Sequence, residues 1–187
     1  MAYLLRKLSN IDAWAEAADS PLWASGDCPP EILRQVYDNS SGVSTWRVET
    51  RPEVERAVAA QTFLRSSIGN FSYCLINEGD LAVCGIKTVT KPGKTVDSEI
   101  NQRHVELTDM TALQIVSLAR LILDKCEPDV ITREEIMQTA ATHFDNGKFE
   151  LAYLFKGGKN GRTEVEIANS RELLVNLWKR RDLKIST

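Results

Sequence analysis

Residues 71–86, FSYCLINEGDLAVCGI, constrain the fold more than any other stretch of the chain. Two apolar runs flank Asn77-Glu78-Gly79-Asp80. Short runs of aromatic and β-branched residues around a Gly-containing turn read as a β-hairpin. A strand turns successive side chains to opposite faces. Phe71, Tyr73 and Leu75 then point one way, and Ser72, Cys74 and Ile76 the other. Leu81 and Val83 alternate with Ala82, Cys84 and Ile86 in the same manner. Neither face is polar, so such a ribbon must be covered on both sides. The expectation is an α+β chain: a mixed or antiparallel sheet of about five to seven strands, centred on this hairpin, with helices packed on it.

At 187 residues the chain is long enough to bury an ordinary core, and it reads as one domain over 1–187. A subdivision near 108 is the alternative, with a sheet-rich 1–107 and, in 108–187, helices plus a C-terminal hairpin. The apolar share of 43% and net charge of −3 are those of a soluble globular protein, with no global field towards nucleic acid or an anionic membrane. No run of apolar residues reaches the length of a membrane span, and the start, MAYLLRKLSNIDAW, lacks the apolar core of a signal peptide. These features lead us to expect a cytoplasmic protein.

The cysteines stand at 28, 74, 84 and 126. None forms a C-x-x-C, which removes the zinc-ribbon and thioredoxin readings. In the hairpin, Cys74 faces Cys84 if the loop is Glu78–Asp80; Cys84 faces Tyr73 if the loop is Glu78-Gly79. Free buried thiols are the expectation in either case.

Further elements follow from local signals. Tyr3–Leu8 reads as a strand, and Ser9 or Asn10 caps a short helix bearing Trp14. Residues 20–30, SPLWASGDCPP, read as a loop ending in a Pro-Pro that opens a helix on Ile32, Leu33, Val36 and Tyr37. Val43–Glu49 is a second strand. A helix follows to about Arg65, on Val54, Ala57, Val58 and Leu64. Lys87–Gln102 is polar, contains Pro92-Gly93, and reads as the most mobile loop. His104–Leu107 is a further strand, and 110–125 an apolar helix whose polar stripe is Gln114, Ser117, Arg120 and Asp124. Thr132 and Glu135 have capping-box spacing, Ile131 and Ile136 that of a hydrophobic staple, and Asn146-Gly147 closes the helix between. Two more strands, 149–155 and 163–167, and a last helix over Leu173, Leu174, Leu177 and Trp178 complete the reading.

Motifs with chemistry are few. No phosphate-cradling glycine loop, nucleophile elbow or H-E-x-x-H is present. We therefore expect no catalytic residue, no metal ligand and no cofactor. His104 and Glu106, two apart in a strand, share a face and form the one acid–base pair to consider. Asp97 and Glu99 offer oxygens from an extended loop, which solvation explains equally well. His143 lies near the edge of a buried stripe and reads as structural.

Two surfaces remain. Trp14 and Trp23 lie in the loop-rich first 50 residues, where aromatic anchors serve interfaces; core packing is an equal reading of both. These anchors support a protein partner or self-association. Downstream of residue 147 the chain carries nine basic and five acidic residues, against a net −7 for the rest. Lys156, Lys159 and Arg162 decorate a loop, KGGKNGR, that resembles the wing of a winged helix-turn-helix. Lys179, Arg180 and Arg181 end the last helix. That pattern supports an alternative reading as a nucleic-acid-binding protein.

The order strand, two helices, then GDLAVCG at 79–85 resembles the GNAT acetyltransferase fold. The resemblance implies a divergent acyltransferase-like enzyme. That family binds coenzyme A pyrophosphate on a glycine-rich strand–helix loop, whereas 105–113 here, VELTDMTAL, contains no glycine. The segments YLLRKLSNIDAW, STWRVE, HVELTDMTALQIVSLARLIL and ITREEI are similar to small bacterial proteins without an assigned function. The leading expectation is a non-enzymatic bacterial accessory or adaptor protein that acts by binding another protein.

Overall fold

The computed structural model describes residues 2–36, 42–63 and 68–149. It is an α+β fold with a six-stranded sheet. The strands are β1 (Tyr3–Lys7), β2 (Val43–Val48), β3 (Phe71–Asn77), β4 (Lys87–Thr90), β5 (His104–Thr108) and β6 (Asp129–Ile131). The helices are α1 (Ile11–Ala17), α2 (Pro30–Val36), α3 (Arg51–Thr62), α4 (Glu78–Val83), α5 (Ser98–Gln102), α6 (Ala112–Lys125) and α7 (Arg133–Asp145). A 3-10 turn, Pro21–Ser25, breaks the segment read as loop. The sheet order is β4-β5-β2-β1-β3-β6. β1 pairs antiparallel with β2 and β3, and β5 with β2 and β4.

The expected hairpin is replaced by a strand followed by a helix. Asn77 does not turn the chain; its Oδ1 accepts from the Gly79 N–H at 2.8 Å and caps α4. Glu78 and Asp80 then lie in the first turn, where carboxylates complement the helix dipole. Both are paired, Glu78 with Arg47 of β2 at 2.8 Å and Asp80 with Lys125 of α6 at 2.7 Å. Leu81 is fully buried, whereas Val83 is 86% exposed. β3 pairs instead with β1, Leu5 opposite Leu75 and Arg6 opposite Cys74. The centre of the sheet is therefore β2–β1. β3 is nonetheless dry on both faces, with Phe71, Tyr73, Cys74 and Ile76 all buried.

The chain forms two compact units. The first contains β1 to β5 with α1, α2, α4 and α6. One face of its sheet, with Leu4, Val43, Cys74, Ile76, Val105 and Leu107, shares a core with Trp14, Trp23, Ile32, Leu118 and Ile122. Burial of such side chains stabilises by roughly 25 cal/mol per Å² of apolar area. Asn10 caps α1, accepting from Asp12 and Ala13. Thr111 and Gln114 cap α6 reciprocally, as a capping box. Gln35 ties α1 and α2: its Oε1 accepts from the N–H groups of Ser9 and Asn10 and from Trp14 Nε1, at 3.0–3.1 Å.

The second unit contains α3, residues 94–101 and α7. Thr132 and Glu135 form the expected capping box. At its other end Lys148 N–H donates to the His143 carbonyl at 2.9 Å and Gly147 N–H to that of Phe144 at 3.1 Å. This is a Schellman closure, and Gly147 takes the φ of +66° that it requires. Phe63, Phe144 and Phe149 meet edge to face with centroids 5.2–6.2 Å apart. The span read as a mobile loop is instead ordered: it supplies β4 and α5, and Thr95, Val96, Asp97, Ile100 and Asn101 are buried. Asn101 accepts from Thr95 N–H at 2.6 Å and donates to its carbonyl at 3.0 Å. Small polar residues that mark turns in sequence here satisfy one another inside the fold.

Candidate functional site

Trp14 and Trp23 are core residues, 3% and 6% exposed. Trp14 donates to Gln35 at 3.1 Å, and Trp23 Nε1 donates to the Ala17 carbonyl at 2.7 Å. The Arg120 guanidinium lies 4.7 Å from the Trp23 ring. Of the two readings of these tryptophans, the burial favours packing; as folded, neither presents a ring to a partner. Lys156, Lys159, Arg162, Lys179, Arg180 and Arg181 lie outside the described residues.

His104 and Glu106 project from one face of β5, opposite Trp46 and Ser44 of β2. Both are engaged with the end of β4. His104 Nδ1 lies 2.9 Å from the Lys91 carbonyl. A carbonyl only accepts, so Nδ1 carries the proton. Glu106 pairs with the Lys91 ammonium. The His104 ring also packs on Trp46, centroids 4.9 Å apart. The pair thus positions the edge of the sheet.

That edge is β4. Every residue of Lys87–Thr90 is exposed, and β4 ends the strand order. Lys91 N–H donates to the His104 carbonyl at 3.2 Å. In an antiparallel ladder the inward-bonding residues alternate. Lys87 and Val89 therefore also bond towards β5, opposite Thr108 and Glu106. Thr88 and Thr90 turn their N–H and C=O groups outward, where no strand pairs with them among the described residues. Lys87 and Lys91 flank Val89, itself 40% exposed, along one face. Nothing in composition marked this strand, because edge position is decided by pairing order.

Asp97 and Glu99 belong to an ion-pair cluster in the second unit. Asp97, fully buried, accepts from Arg56 Nε at 2.5 Å and Nη2 at 2.9 Å. It also accepts the N–H groups of Glu99 and Ile100, capping α5. Glu99 pairs with Arg56 and with Lys148, each at 2.7 Å. Lys148 and then Arg56 hold its carboxyl down at about 2. No metal-binding group of carboxylates, histidines or cysteines occurs among the described residues.

His143 stands beside this cluster, stacked on Phe149 with centroids 5.4 Å apart. Its Nδ1 is buried without a partner among the described residues. Burial first, then the charges of Arg56 and Lys148, lower its pKa from 6.5. A lowered value means the unfolded chain takes up the proton first, so stability rises with pH across the interval. We expect the His143 contribution to be complete above pH 6.5 and to fade as pH drops from 6.5 towards the lowered value. Urea midpoints measured from pH 7.5 to 5 should fall less steeply in His143→Phe than in the parent chain. Identical slopes would remove His143 as the source.

No family model matches the chain, and no curated protein or solved structure matches it significantly. No described helix is long and apolar enough to cross a membrane.

Proposed function

We propose that this chain is a non-enzymatic accessory or adaptor protein that binds another protein by accepting an extended segment along the outer edge of β4. The carrying observation is the outward row of N–H and C=O groups at Thr88 and Thr90 on a strand exposed along its whole length. Strand addition obtains its affinity from such main-chain groups, and its specificity from alternate side chains. Lys87, Val89 and Lys91 supply that alternate set. The lysines also set two copies of β4 against each other, since an antiparallel self-pair centred on Val89 opposes Lys87 to Lys91. We take the partner to be a different chain, with self-association through this edge as the competing outcome of the test.

The acyltransferase-like alternative has less support. The start of α6, where a coenzyme A pyrophosphate would sit by that resemblance, is closed by its own cap: Thr111 Oγ1 accepts from Gln114 N–H at 3.3 Å. Exposed apolar groups, by contrast, favour a binding role. Leu113 is 74% exposed, and Gln114 Nε2 beside it reaches the Gly85 carbonyl at 2.6 Å, two residues from the exposed Val83.

Thr88→Pro provides the test. Proline removes one outward N–H and leaves the inward ladder intact. A protein co-purifying with the parent chain should be captured about tenfold less by this variant, the equivalent of ~1.4 kcal/mol. The thermal melt should stay within a few degrees of the parent. Unchanged capture by Thr88→Pro overturns the reading. So does binding that follows Lys156, Lys159 and Arg162 and weakens steeply with salt, which is the signature of phosphate contacts.

A further inference from the structure

The outward row of β4 is bounded at both ends. Inward bonding at Lys87, Val89 and Lys91 makes 86, 88, 90 and 92 the outward positions. The Ile86 N–H is taken, since it donates to the Leu81 carbonyl at 3.0 Å. Pro92 has no N–H to offer. Thr88 and Thr90 are left as the outward donors, so a strand added here is centred on Val89. Lys87 and Lys91 then fall inside its footprint, one at each end. No acidic residue of the chain lies between Asp80 and Asp97 in sequence to offset them. Lys87 is exposed and has no ion pair among the described residues. Lys91 pairs with Glu106 but its side chain remains 51% exposed. An ammonium has three donors, so two are left for another carboxylate.

We infer that the segment received by β4 is acidic: an extended stretch with a carboxylate opposite each of Lys87 and Lys91 and an apolar β-branched side chain opposite Val89. This partner chemistry rests on the edge reading above. We take the newcomer to run antiparallel, as the described pairings of this sheet do. Once it is bonded to Thr88 and Thr90, its residues facing Lys87, Val89 and Lys91 occupy the non-hydrogen-bonded pairs, where side chains approach most closely. Opposite charges stabilise such pairs and like charges oppose them. On the other face the exposed side chains of Thr88 and Thr90 suit a threonine or serine opposite each. The matching pattern is Glu-Thr-Val-Thr-Glu, the charge inverse of 87–91.

Three peptides provide the test, titrated into the isotopically labelled full chain and read by NMR at the Thr88 and Thr90 amides. Each has a Thr-Val-Thr core, flanked on both sides by Glu in the first, Gln in the second and Lys in the third. The Glu peptide should shift both amides and bind about tenfold tighter than the Gln peptide, with the Lys peptide weakest. Salt at about 0.5 M should remove most of that preference. Lys87→Glu should bring the Glu and Lys peptides to about the same affinity. Lys91→Gln, a milder change at a paired site, should weaken the Glu peptide about threefold. Thr88→Pro, read at Thr90, should lose all three. Equal binding of the three peptides, each lost in Thr88→Pro, keeps the edge and overturns its acidic preference. Shifts untouched by Thr88→Pro overturn the edge reading and this inference with it. Shifts that follow protein concentration instead of peptide mean self-pairing and overturn the inference, as does tighter binding of a single-stranded oligonucleotide than of the Glu peptide. No shift with any peptide overturns it as well: the lysines then serve to keep other strands off the edge, and the edge reading is decided by capture in Thr88→Pro.

Discussion

Asp97→Ala is expected to destabilise the protein by about 3–5 kcal/mol, the usual cost of removing one partner of a buried ion pair. The Asp97 carboxylate meets four donors: Arg56 Nε and Nη2 and the N–H groups of Glu99 and Ile100. Alanine leaves the guanidinium facing a desolvated void and strips the cap from α5. The cap alone is worth about 1 kcal/mol. Arg56 retains Glu99 at 2.7 Å, which places the loss towards the lower end of that range. Asp97→Asn keeps an acceptor for the two backbone donors but no charge for Arg56, so it should fall between alanine and the parent. Urea unfolding at pH 7 gives the three values. A loss for Asp97→Ala under about 1 kcal/mol would mean that the 94–101 segment is not held by this pair.

Trp23→Ala should cost a similar amount, about 3–5 kcal/mol for a core tryptophan. The ring is 6% exposed, and its loss opens a cavity beneath Arg120 and takes from the Ala17 carbonyl one of its two donors, leaving the Ser20 N–H at 3.1 Å. Part of the sum is the cation–π contact, about 0.5–2 kcal/mol by itself. Trp23→Phe retains most of the volume and should lose well under half as much. This pair of variants separates the two readings of the first 50 residues. An anchor on a surface would lose binding in Trp23→Ala with little change in the denaturation midpoint. A core residue loses the midpoint first, and that is the outcome we expect.

The helices that could be read from sequence are those whose ends are specified locally. Thr132 with Glu135 and Gly147 with its two Schellman hydrogen bonds involve residues within a few positions of one another, so the signal and its cause occupy one window. Asn77-Glu78-Gly79-Asp80 is a different case. The same four residues suit a hairpin turn and a helix N-cap, and here the cap is realised, with Glu78 paired to Arg47 and Asp80 to Lys125. Those partners are 31 and 45 positions away, beyond any local pattern. The segment with Thr95, Asp97 and Asn101 misled for a related reason. Its polar residues satisfy each other and Arg56, so composition that normally faces water is buried. The α+β class was legible because strand-length apolar runs such as β3 and amphipathic helices such as α6 are set by local sequence, whichever strands pair. The β4 edge was not, since it depends on which strand the sheet ends with.

Between the two central strands the chain leaves the sheet, makes two helices and returns. A lone carbonyl oxygen on Gln35 receives a main-chain hydrogen from each of Ser9 and Asn10 and the indole hydrogen of Trp14. That one atom ties the start of α1 to the last turn of α2, so any event that rotates the amide unpairs the Ser9 and Asn10 N–H groups and the Trp14 indole in a single step.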